Sequence, residues 1–142
     1  MESIRLCLDS SLLIGYLRNR EPEASATVHA LRRYPCYVAS ITVYEILFGA
    51  ARARRQIDEN KLLAPFVVLP LDEKSARLAA HLHDGLIRQN ADIGIKDVLI
   101  AAICLSHGVA LLTANYEHFR RVSPLHVLRP DEILTSDHPS DL

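Results

Sequence analysis

Three acidic residues stand in apolar surroundings. Asp9 follows the apolar run Ile4–Leu8, Glu45 lies inside ITVYEILFGA, and Asp97 opens DVLIAAICL. Carboxylates are rarely buried unless they are paired or bound to a metal. No Lys or Arg lies three or four residues from Glu45, and Arg52, Arg54 and Arg55 come only later in the chain. Clustered carboxylates repel one another without a cation among them. Hard oxygen donors suit Mg²⁺ or Mn²⁺. Thr113 and Asn115, just after the run Val109–Leu112, could add neutral polar groups.

Each residue also has a local reading. Asp9 could cap the helix that follows it. Thr42-Val-Tyr-Glu45 fits the capping box, in which Glu45 bonds back to the helix start. Asp97 in a first helical turn is favoured by the macrodipole, and Thr113 and Asn115 suit a turn. Whether the acids converge depends on the elements that carry them.

Short apolar runs predict strands at Ile4–Leu8, Cys36–Ala39, Phe66–Leu69, Val109–Leu112 and Leu125–Leu128. Between them, helices are expected from Ser10 or Ser11 to about Arg18 and from Pro22 to about Tyr34. Others are expected from Ser40 or Thr42 to about Arg55, over Asp58–Leu63, from Asp72 to about Asn90, and over Ile95–His107. Tyr116–Arg121 reads as a helical turn. Alternation of strand and helix, without a hairpin dipeptide, predicts an α/β/α domain of three layers around a mainly parallel sheet of four to five strands. Ligands of such sheets gather at the carboxyl ends of the strands, where Asp9, Glu45, Asp97, Thr113 and Asn115 would then meet.

The 142 residues suit one domain, expected over 1–134, with a polar, frayed tail at 135–142. The longest apolar-rich run, Leu62 to Leu71, is broken by Pro65 and Pro70, so no membrane span is predicted. The N-terminus lacks the pattern of a secretory signal, and a cytosolic protein is expected. With 16 basic and 17 acidic residues, bulk charge does not favour nucleic acid. Cys7, Cys36 and Cys104 sit in apolar contexts without CxxC spacing and read as reduced core thiols. The histidines are scattered, and His81 and His83, two apart on a helix, diverge.

Four segments in order, LDSSLLIGYL, SITVYEILFGA, IGIKDVLIAA and LLTANYEHF, carry a resemblance. Over about residues 4–130 the chain resembles PIN-domain proteins, specifically VapC-type toxins of bacterial toxin–antitoxin pairs. The resemblance implies an Mg²⁺- or Mn²⁺-dependent endoribonuclease in which Asp9, Glu45 and Asp97 hold the metal. A metal-activated water would cleave RNA to 5′-phosphate and 3′-hydroxyl ends. Asn115 stands where the family often has a fourth acid, and would orient a water or a ligand carboxylate, with Thr113 in support. His118 stands where the family often has an acid, and the place of His118 and Glu117 is left open. A homodimer and a VapB-type antitoxin are implied partners. Lys96, Arg52, Arg54 and Arg55 are candidate phosphate contacts, and Tyr16 and Tyr44 candidate stacking residues, against readings as solvated charges and packing. The alternatives are a non-catalytic PIN-like RNA- or protein-binding module and, more distantly, a small phosphatase. The phosphatase reading is opposed by Ser11 where a D-x-D pair needs an acid.

Overall fold

The computed structural model describes residues 4–136 and 142. Its elements are β1 (Leu6–Leu8), α1 (Ser10–Leu17), α2 (Glu23–Arg33), β2 (Cys36–Ala39), α3 (Ser40–Arg52), α4 (Glu59–Leu63), β3 (Val67–Leu69), α5 (Glu73–Arg88), α6 (Ile95–His107), β4 (Ala110–Leu112), α7 (Tyr116–Phe119), β5 (Val127–Leu128) and α8 (Pro130–Thr135). The five strands form one sheet in the order β3-β2-β1-β4-β5, and every neighbouring pair is parallel.

Alternation along β1 divides the core. Leu6 and Leu8 pack with Leu12, Leu13, Ala26 and Ala30 of α1 and α2. Cys7 packs on the other side with Ala79 and Leu86 of α5 and Ile100 and Ile103 of α6. These residues are almost wholly buried, so β1 reads as a continuous apolar run because both its faces are covered. At the sheet edge, by contrast, Val67 and Val68 of β3 are 59% and 44% exposed. The three cysteines are free and buried. Burial pushes the Cys36 thiol up to about 12, which leaves it unreactive.

Several predicted bounds shift. The first and last strands shorten to Leu6–Leu8 and Val127–Leu128, α3 stops at Arg52, and α5 stops at Arg88. α8 was not expected. Pro130 opens it at a position that needs no N–H, Asp131 and Glu132 favour its N-terminus, and Ile133 is fully buried on the α1–α2 side. Of the tail expected from residue 135, Thr135 ends α8 and Ser136 is buried, while 137–141 lie outside the described residues. Among the described residues, no helix is long and apolar enough to cross a membrane.

Candidate active site

The sheet register brings the strand ends together. Leu8 pairs with Leu112, so Asp9 and Thr113 leave adjacent strands at the same level. The Asp9 N–H donates to the Leu112 carbonyl at 3.0 Å, and the Thr113 N–H to that of Leu128 at 3.0 Å. Asp9 is the residue before α1, yet its side chain makes no capping bond there. Instead its Oδ2 accepts from Thr113 Oγ1 at 2.9 Å and from Ser11 Oγ at 3.1 Å. Thr113 Oγ1 in turn accepts from the Asn115 N–H at 2.9 Å, and Ser11 Oγ accepts from the Ala114 N–H at 3.1 Å. A buried acid is thereby held by two hydroxyls that are themselves fixed by the β4–α7 turn.

Glu45 comes from α3, which leaves β2 without a loop: Ala39 ends the strand and precedes Ser40, the first helical residue. Glu45 is therefore the sixth residue of the helix, too deep to close a capping box, which needs the third. The side chains of Thr42 and Glu45 both retain a buried oxygen, Oγ1 and Oε1, without a hydrogen-bond partner among the described residues. Lys96 Nζ is 3.9 Å from the other oxygen, Glu45 Oε2.

Asp97 lies in the first turn of α6. The helix runs back against the parallel strands, so its N-terminus lies at their carboxyl ends. Gly94 precedes it with φ +91, a conformation that other residues rarely adopt. Asp97 Oδ2 lies 3.1 Å from His118 Nδ1 and 3.4 Å from Asn115 Nδ2. His118 thus joins the cluster. Its spacing from Asn115, three residues along one turn of helix, was the available sequence signal. Glu117 points elsewhere, is largely exposed, and lies 3.6 Å from Arg120.

Charge couples the three acids. Burial raises the pKa of Asp9; the Thr113 hydrogen bond opposes this, and the Asp97 charge raises it further. Burial also raises that of Glu45, followed by the Asp9 charge; Lys96 lowers it and Asp97 raises it again. Among the described residues, no three acidic, His or Cys side chains stand close enough to enclose a metal ion as they are placed. The donor chemistry nevertheless fits a hard divalent cation: three carboxylates that repel one another, and one buried oxygen with no protein partner.

A groove of about 410 Å³ runs from Glu45 between α1, α3 and α4, with apolar Ile46 and Leu62 and the cations Arg18, Arg55 and Lys61 among its lining. Of the three arginines considered from sequence, only Arg55 lines this groove; Arg52 and Arg54 are exposed elsewhere at the end of α3. Tyr16 also lines the groove, whereas Tyr44 stacks on Phe48 at 5.6 Å on the exposed face of α3.

A family model described as PIN domain matches residues 6–124. The chain is 29% identical over 130 residues to Ribonuclease VapC1 of Rickettsia felis, covering 87% of this chain and 94% of that protein. It is 32% identical over 114 residues to Ribonuclease VapC10 of Mycobacterium tuberculosis, covering 80% and 85%. Among solved structures, VapBC2 from Rickettsia felis, bound to a DNA fragment from its promoter, shares the fold. The TM-score is 0.77 at 16% identity, over 89% of this chain and 98% of that one.

Proposed function

The chain belongs to the PIN-domain family, and from that premise we propose that it is an endoribonuclease toxin, dependent on Mg²⁺ or Mn²⁺ and neutralised by a VapB-type antitoxin. The observation that carries this reading is the convergence of Asp9, Glu45 and Asp97 at the carboxyl edge of the sheet, with Glu45 Oε1 buried and unpartnered. The printed names of the relatives, ribonucleases of the VapC type, support the same reaction class.

Asp9, Glu45 and Asp97 would hold the ion. Bound there, a divalent ion would make water a better nucleophile and offset charge on the phosphate. The chain's own residues set the stage. Thr113 and Ser11 fix the Asp9 carboxylate, and Asn115 meets that of Asp97. Arg18, Arg55 and Lys61 along the groove would take RNA phosphates, and Tyr16 would offer a face to a base. Water adds to phosphorus, the bond to the 3′ oxygen breaks, and the products are a 5′-phosphate and a 3′-hydroxyl. We read residues 1–134 as one catalytic domain that works in the cytoplasm as a homodimer.

The test uses the purified chain and total cellular RNA. The native protein should cleave with Mn²⁺ or Mg²⁺ and stop in EDTA. Asp97→Asn should not cleave under either condition. Equal cleavage by native and variant protein would refute the assignment, and metal binding without any cleavage would favour a non-catalytic binding module.

A further inference from the structure

Each acid of the cluster commits one oxygen to a neighbouring side chain. Asp9 Oδ2 takes the Thr113 and Ser11 hydroxyls. Glu45 Oε2 faces Lys96 at 3.9 Å, while Oε1 has no partner. Asp97 Oδ2 meets His118 Nδ1 at 3.1 Å and Asn115 Nδ2 at 3.4 Å. Among the described residues, no side chain hydrogen-bonds the second oxygen of any of the three acids.

Resting on the metal-dependent reading above, we infer that His118 is a positioning residue. It engages Asp97 Oδ2 and leaves the site one oxygen from each of three carboxylates, enough for a single divalent ion. Three such oxygens suit one octahedral ion that keeps its remaining positions for water. A second ion would need oxygens that the hydroxyls, Lys96 and His118 already engage.

The hydrogen bonding fixes how His118 acts. Its Nδ1 is 3.1 Å from the carboxylate and 2.9 Å from the Asn115 amide. An Nδ1 lone pair would face the carboxylate with like polarity, so Nδ1 carries the proton and donates to Asp97. The Asn115 amide then turns its oxygen toward the same N–H, because two donors cannot face each other, and so gives up its own donation to Asp97, leaving His118 as the donor to that carboxylate. An acid at position 118 would do the opposite, repelling Asp97 and offering a further metal ligand.

The test is titration of Mn²⁺ into the metal-stripped full chain, followed by calorimetry and by the free-ion electron paramagnetic resonance signal. The native protein should bind one ion. His118→Ala should bind it about 10-fold more weakly, the scale of losing a group that orients a metal ligand, with an unchanged melting temperature in EDTA. His118→Asn can place a side-chain N–H where Nδ1–H stands, and should restore most of the affinity. His118→Asp should admit a second ion. Two ions on the native chain, native affinity in His118→Ala, or equal losses in His118→Ala and His118→Asn would overturn the inference. A native chain that binds no Mn²⁺ would overturn the metal-dependent reading itself, and this inference with it. Native binding of one ion with a fully functional His118→Ala would overturn the inference alone.

Discussion

Asp9 ionises against burial and the Asp97 charge, and Glu45 against burial and the Asp9 charge, so their folded pKa values stand above the unfolded ones. For such acids the fold favours the neutral form. The stability they contribute is complete below the ordinary values of 3.8 and 4.5 and is lost as pH rises through the raised values. The metal-stripped protein should therefore unfold more easily in denaturant at pH 7 than just above pH 4. Glu45→Gln removes one of them, and should raise the pH 7 melting temperature in EDTA and flatten the pH dependence over that interval. A lowered melting temperature would mean that the carboxylate stabilises the fold. The chemistry at this scale was legible in part. An acid inside ITVYEILFGA or at the head of DVLIAAICL is conspicuous by its neighbours. His118 was not, because an exposed-looking histidine in NYEHF gains meaning only when α7 is laid against the N-terminus of α6.

Elements decide which local signals count. The T-x-x-E spacing suggests a helix beginning at Thr42, but β2 passes straight into α3 at Ser40 and Glu45 is carried past the capping position. The same spacing logic holds at α5, where Asp72 Oδ1 accepts from the Ser75 N–H and Oγ, each at 2.8 Å. These bonds hold the Asp72 carboxyl below its ordinary value, so its contribution is present above pH 3.8 and is lost as pH falls through the lowered value. Asp72→Ala should lower the melting temperature at pH 7, and the gap from native should close in strong acid. An equal gap at both pH values would show that the cap works without its charge. β1, β2 and β4 were visible as apolar runs because both faces are covered, whereas the two residues of β5 were too few to give their bounds. α8 was not expected, although Pro-Asp-Glu at its start suits the opening of a helix. Ile133→Ala should cost about 2–5 kcal/mol in denaturant unfolding, the range for emptying a buried aliphatic site, since Ile133 is fully buried. A change below about 0.5 kcal/mol, the range of surface substitutions, would mean that α8 is peripheral to the fold.

For the whole molecule, a net charge of −1 suggests little attraction to RNA, but it averages unlike regions. Glu45 couples to Asp9 and Asp97 and itself lines the groove, whose lining also carries Arg18, Arg55 and Lys61. A divalent ion would offset most of the negative charge of these acids, so they would oppose a phosphate backbone far less. Ions that bind only the folded chain stabilise it by mass action. Mn²⁺ should therefore raise the melting temperature of the native protein, and should raise that of Asp97→Asn less; equal shifts would place the ion elsewhere. The most direct test is transcriptome-wide mapping of RNA 5′ ends after induction of the native chain and of Asp97→Asn at matched protein levels. The native chain should create new 5′-phosphate ends at discrete sites and arrest growth, and the variant should do neither. The same ends from both proteins, or no new ends from the native chain, would contradict the account.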